Sequence, residues 1–446
     1  MQLIHTNIFC EINRMAGHKE VITRVLQSSL VGARVMRVAW NLWSLEFARK
    51  RFRPIVSPTP RFSGTHLKEL IMRRISILLL VFCTCFTLAA WSQARPQWEN
   101  TISAPGAGTG AGQGTWVNTI NSLGEVAGWY VDGNNVYHGF ISSLRGEITD
   151  VNAWPAGTAA YQGTLIEGMN SAGVTTGYYA DSNNVYHGFV RAPDGQLRVI
   201  NVPTAGTAAY QGTLASNINA TGTVLGIFID ASYNEHYFLY SPYNGFTTFD
   251  APDEGAGVSA LGWGYPDELN DLGAAVGMFI DGNNIFHGWL RTPDGEITRI
   301  DVPAAGTASG EGTYVLSINW KGLIVGGYLI TASDPFGHSQ GFLRDANGQF
   351  TTFAPPTGMT SVSPNDINAR GEVVGTCWIH NAAGQNVGGD EAFSLAPHGT
   401  YTVFSLPGAG TGNYQGTYGI AVNQQGWIAG TITDDNSVTR GFVMIP

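Results

Sequence analysis

Seven times along the chain an Asn follows an apolar residue and is itself followed by Gly at the third and seventh positions. The seven are Asn121, Asn170, Asn219, Asn270, Asn319, Asn368 and Asn423. Their spacings are 49, 49, 51, 49, 49 and 55 residues. Seven matches to a three-point pattern leave little room for chance, and a period of this length restricts the chain to an array of one repeated supersecondary unit.

One copy, residues 114–155, reads as four short strands. TWVNTIN is the first, and Asn121 to Gly124 has the Asn-first, Gly-fourth signature of a tight turn that reverses the chain into EVAGWYV. The Asp132-Gly133-Asn134-Asn135 run supplies the positive φ of a second hairpin, VYHGFIS follows, and a further Gly turn leads to EITDVNAW. Pro193-Asp194-Gly195 and Pro293-Asp294-Gly295 write that last hairpin more plainly in later copies. Four-stranded units of this length, repeated seven times with no helical period, predict an all-β fold: a seven-bladed β-propeller. A linear β-solenoid is the rival architecture, but its rungs are shorter and it needs capping ends.

The ends of the array sharpen the expectation. The seventh copy stops after its third strand, at GFVMIP, while residues 98–105 ahead of the first copy match a fourth strand and its linker. The N-terminal segment is therefore expected to complete the last blade, which removes both free sheet edges. A ring closed in this way is expected to be a monomer.

Upstream of the array, Arg73 and Arg74 precede an apolar run from Ile75 to Ala90, and Ser92-Gln93-Ala94 forms a small-x-small cleavage site. The run is shorter than the roughly 20 residues of a spanning helix, so residues 72–94 read as a secretory signal peptide. An uncleaved anchor at 75–90 is the alternative. Residues 1–71 are basic, carry Arg49, Lys50, Arg51 and Arg53, and show no repeat; they read as an extension ahead of a start at Met72. The expected organisation is thus 1–71 extension, 72–94 signal and 95–446 propeller, in a secreted or cell-surface protein.

Residues 1–94 hold 13 Lys and Arg and 4 Asp and Glu, which leaves 10 basic against 29 acidic residues downstream, a net charge near −19. That field argues against nucleic-acid and anionic-membrane partners; no cofactor is expected, with calcium as the alternative. Of the four cysteines, Cys10, Cys83 and Cys85 precede the cleavage site and Cys377 stands alone, so no disulfide framework is expected.

The pattern I-N-x-x-G-x-V-x-G followed by His-Gly-Phe resembles the bacterial extracellular repeat family called HAF, after a His-Ala-Phe triplet. The likeness covers roughly residues 96–446, with the aromatic triplets ending at Phe140, Phe189, Phe238, Trp289, Phe342, Phe393 and Phe442. Gly replaces the family's Ala except at Glu391-Ala392-Phe393. The resemblance implies an extracellular protein and no defined activity.

Candidate chemistry divides into repeated and face-specific residues. His138, His187, His236 and His287 occupy one position in consecutive copies, and such repetition suits a structural role better than catalysis, which needs an asymmetric set of groups. They also lack the spacing of a metal motif. The seven repeat Asn read as turn formers. In a propeller, the linker from strand four to the next strand one shares a face with the turn between strands two and three. That face would gather Tyr161, Tyr210, Trp263, Tyr314 and Tyr414 beside Asp132, Asp181, Asp230, Asp281 and Asp434. Aromatic platforms beside carboxylates suit sugar rings. The functional expectation is therefore a non-enzymatic binding platform for a glycan or protein. A carbohydrate-active enzyme, glycosidase or lyase, on the same scaffold and a calcium-stabilised surface protein are the alternatives. The residues identify no catalytic pair, and difference between copies points to the linker around Trp263 and to the stretch from Cys377 to Glu391.

Overall fold

The structure, a computed structural model, describes residues 98–252, 268–330, 339–381 and 387–445; the signal segment and the basic extension lie outside these residues. Every regular element among them is a strand, and the strands fall into sets of four. In the first set Gly114–Ile120, Val126–Val131, Tyr137–Ser142 and Ile148–Val151 pair antiparallel in chain order. The same meander recurs along the chain, with first strands at Gly163–Met169, Gly212–Ile218, Glu268–Leu269, Gly312–Ile318, Ser361–Ile367 and Gly416–Val422. We number the sets blades 1 to 7.

First strands lie against the first strands of both neighbouring blades, including that of blade 7 against that of blade 1. They therefore form the inner wall of a ring, and the fold is an all-β propeller. Closure follows the sequence expectation. Trp98–Ile102 pairs antiparallel with the last strand, Thr439–Ile445, from Trp98 opposite Ile445 to Ile102 opposite Gly441.

Two glycine positions make the blades pack this closely. The seam between blades 1 and 2 carries a single parallel bridge, Tyr137 to Gly163, and Gly163 sits at φ 117° with its missing Cβ 2.0 Å from the Tyr137 carbonyl oxygen. A side chain there would push the blades apart. The repeat Gly seven residues after the Asn does a different job. At Gly226 a Cβ would lie 2.8 Å from the ring of Phe238, so its absence lets that ring lie over the neighbouring strand. The aromatic residues that end the triplets, Phe140 to Phe442 with Trp289 among them, are fully buried and anchor the seven seams. In blade 1 Phe140 packs with Ala421, Ala429 and Val443 of blade 7. Burying a Phe side chain of this kind contributes roughly 1.5–3 kcal/mol.

The repeat Asn forms more than a turn. In each copy its Oδ1 accepts the N–H groups two and four residues on, as Asn170 does from Ala172 and Val174. Its Nδ2 then reaches across the seam. Asn170 donates to the carbonyl of Asn219, Asn219 to Asn270, Asn270 to Asn319, Asn319 to Asn368, Asn368 to Asn423 and Asn423 to Asn121, at 3.0–3.1 Å. Six seams are thus tied by one bond each, worth about 1 kcal/mol apiece. At the seventh, between blades 1 and 2, the Asn121 amide turns instead to Glu125 and to the Met169 sulfur.

Candidate functional site

On the linker face, Tyr161 donates its N–H to the carbonyl of Asn135, and Gln162 Nε2 donates to Asn184 Oδ1, so the linker from blade 1 to blade 2 packs on the turns between strands two and three of both blades. Its acids, however, are occupied. Asp132 Oδ1 accepts the N–H groups of Asn134 and Val136, and its Oδ2 lies 3.5 Å from His138 Nε2. His138 stacks on Tyr130 and uses Nδ1 to meet Asn152 at 3.0 Å. Asp181 with His187, Asp230 with His236 and Asp281 with His287 repeat the clasp, and Asp434 repeats the turn without a His. The Asn234 N–H holds Asp230 below the usual carboxylate range, and the Ile285 N–H does the same for Asp281. For Asp132 and Asp181 burial works upward, but the turn N–H groups and the His outweigh it. Carboxylates held ionised in this way are poor proton donors at neutral pH.

The third and fourth copies replace the amide partner of His by a carboxylate: Asp250 lies 2.6 Å from His236 Nδ1, and Asp301 lies 2.7 Å from His287 Nδ1. Burial alone would lower the His236 pKa, yet Asp250 and Asp230 raise it above the ordinary value. Asp250→Asn is expected to return His236 toward the ordinary imidazole range, read by NMR titration of the ring. An unchanged midpoint would show that Asp250 does not hold the imidazolium.

Of the linker aromatics, Tyr161, Tyr210 and Tyr414 are exposed and adopt positive φ. Tyr314 does not belong with them. The linker position in copy 5 is Gly310, and Tyr314 stands two residues into the inner strand, half-buried, its ring filling the space above Gly327. Burial pushes its phenol up to about 12. Trp263 and part of the Cys377 to Glu391 stretch, residues 382–386, lie outside the described residues.

The asymmetry that chemistry requires lies on the inner strands, three and two residues before the repeat Asn. Most copies carry neutral residues there, but blade 2 carries Glu167, blade 4 Asp267 and Glu268, and blade 6 Asp366; Asp267 lies outside the described residues. Glu167, Glu268 and Asp366 are enclosed by neighbouring strands yet keep some accessible surface. Ser317 of blade 5 joins two of them. Its hydroxyl donates to Asp366 Oδ1 at 2.9 Å and is also hydrogen-bonded to Glu268. Asp366 further accepts the N–H of Val422 at its other oxygen and that of Ile367.

Burial raises both carboxyls, and the charge of Asp366 raises Glu268 further. Three donors favour charge on Asp366, so the proton the pair retains sits on Glu268, and the chain runs Glu268 to Ser317 to Asp366. On blade 2, burial pushes Glu167 up to about 8, opposed by the Asn118 amide, which donates to Oε2 at 2.7 Å. The inner strands thus carry Glu167, which burial pushes up to about 8, and the hydrogen-bonded pair Glu268 and Asp366, both raised by burial, with Asp366 the better supplied with donors. Environments that push carboxyl pKa values apart separate an acid from a base. Among the described residues no cluster of three or more His, Cys, Asp or Glu has metal-holding geometry.

No protein-family model matches the chain, and no curated protein matches it. Solved structures of similar fold include a streptogramin B lyase, 11% identical over 78% of this chain and 98% of its own, with a TM-score of 0.49. A virginiamycin B lyase from Staphylococcus aureus is 12% identical over 78% of this chain and all of its own, at 0.46. The six-bladed fungal lectin of Aleuria aurantia is 8% identical over 72% of this chain and 97% of its own, at 0.31. Likeness at this identity concerns the scaffold alone. The expectation of a non-enzymatic platform is corrected to this extent: the named structures include lyases as well as a lectin, so the ring by itself does not make the protein a non-enzymatic binder.

Proposed function

We propose that the protein is an acid–base enzyme that cleaves a bond in a small substrate held in the axial channel, by hydrolysis or elimination. The observation that carries this reading is the unrepeated set Glu167, Glu268, Ser317 and Asp366 on four inner strands of an otherwise regular ring. Asp366 takes a proton from water or from an acidic C–H of the substrate, and Glu167 gives one to the departing oxygen or nitrogen, which leaves with the bonding electron pair. Ser317 and Glu268 buffer the charge at Asp366, so the carboxyls as a set begin and end the cycle with the same number of protons. The positive, apolar and small-residue segments of 72–94 support an enzyme that acts after export.

The full chain, incubated with a panel of esters, lactones, amides and glycosides, is expected to turn over at least one class. Glu167→Gln and Asp366→Asn are each expected to lower kcat/KM by about 100-fold or more, and Ser317→Ala by less. Turnover that survives all three substitutions, or no turnover of any class, sinks the reading. A double bond in the product identifies elimination.

A further inference from the structure

The seam between blades 1 and 2 is the one where the Asn ring is interrupted, and it is also where Glu167 sits. Asn118, on the inner strand of blade 1, crosses it. Its Nδ2 donates to the carbonyl of Ile166 at 3.1 Å and to Glu167 Oε2 at 2.7 Å. Blade 6 offers an internal comparison, because Asn365 occupies the equivalent place and donates to the carbonyl of Gly419 across its own seam, where Ile420 replaces the Glu. The backbone bond is therefore a seam device, and the carboxyl bond is added to it in blade 1 alone among the described residues.

We infer that Asn118 is the positioning residue for the acid: it occupies Oε2 of Glu167 and so fixes the transferable proton on Oε1, turned to the channel. The inference rests on the acid–base reading above. Both protons of the Asn118 amide are spent, one on the backbone and one on the carboxyl, so the amide cannot flip without losing both bonds. Oε2, accepting from Nδ2, cannot itself lie on the side that carries the acid proton. No other described group bonds Oε1. Nor does any charged side chain on the adjoining strands perturb Glu167: burial raises it, and Asn118 alone opposes.

The test follows the Glu167 carboxyl directly, by carbon-13 NMR of the full chain, with Glu167→Gln assigning the signal. Wild type is expected to titrate near 8. Asn118→Leu removes a bond that favours the charged form, so the midpoint should rise, by roughly half a pH unit or more. The alkaline limb of the pH–rate profile should move with it while kcat falls about tenfold. Asn118→Ala serves the same purpose if the Leu variant does not fold. Asn365→Leu, which breaks the seam bond only, should leave the Glu167 midpoint in place.

A midpoint unmoved in the Asn118 variants, or moved equally by Asn365→Leu, overturns the positioning role whether or not a substrate is known. A midpoint that moves as expected while Glu167→Gln retains full turnover overturns the enzyme reading instead and leaves the pair intact.

Discussion

Deleting residues 98–105 is expected to produce a chain that melts far below the wild type and aggregates as it does so. Trp98–Ile102 supplies the outer strand of blade 7, and without it Thr439–Ile445 becomes an unpaired edge. Edges of that kind template pairing with other chains. The loss is not confined to the backbone ladder. Ile102 and Ala104 are buried among Val117, Phe140 and Val443, and the Ala104 N–H donates to the buried Thr115 hydroxyl at 2.9 Å. The segment thus joins blade 7 to blade 1 as well as completing blade 7. The milder variant Ile102→Ala isolates the packing contribution and should cost about 2–4 kcal/mol. For a domain of this size that lowers Tm by several degrees. Circular dichroism melts with light scattering check both variants. A deletion that melts with the wild type would mean that the ring does not depend on this strand.

The ring itself was legible because its constraints repeat. Asn at the turn and Gly at +3 and +7 answer three recurring steric demands: the Asx turn, its closing residue and the close approach of the inner-strand backbone, joined by a Phe ring at Gly226, Gly326, Gly375 and Gly430. Seven copies of the same demand leave seven copies of the same signature. That the linker from blade 1 to blade 2 packs on the turns between strands two and three follows from chain order alone. What did not follow was which acids remain free. Asp132-Gly133-Asn134-Asn135 looks like a carboxylate on a surface turn, yet the turn N–H groups and His138 take up its oxygens. Tyr314 was misplaced because copy 5 puts Gly310 at the linker position where copies 2 and 3 show Tyr161 and Tyr210. The channel carboxyls were missed for a different reason. Each fully described inner strand carries a bulge at these positions: Glu167 is the extra residue between Ile166 and Gly168 in blade 2, and Asp366 follows the extra residue Asn365 in blade 6. An extra residue there breaks the in-and-out alternation by which a strand is read, so neither Glu167 nor Asp366 could be assigned to the axis from period two. A signal was nonetheless available: these are positions where copies aligned on the repeat Asn disagree in charge.

The buried carboxyls also predict how stability varies with pH, and the sign differs from that of an ordinary acidic protein. Glu167 titrates near 8 in the folded chain against an ordinary value of 4.5. Between those limits the folded state keeps a proton that the unfolded state has released. The unfolded state therefore binds fewer protons, and stability falls as pH rises, by at most about 1.4 kcal/mol per pH unit for one such group. Access to the channel screens part of the effect, so roughly 2–4 kcal/mol should be lost between pH 5 and pH 8.5. Glu268 and Asp366, both raised, act in the same direction. The turn acids act in the opposite direction at the other end of the scale. Asp132, Asp181, Asp230 and Asp281 are lowered, so their contribution is present above about pH 4 and is lost below it. Stability should therefore peak near pH 5 and decline toward alkaline pH. Glu167→Gln keeps the shape of the side chain and removes its titration. The variant is expected to match or trail the wild type at pH 5 and to exceed it by about 2 kcal/mol or more at pH 8.5. Urea unfolding of both proteins at several pH values decides the matter: parallel curves would mean that Glu167 is not protonated in the folded channel at neutral pH, and the acid assigned to it would be lost with that result.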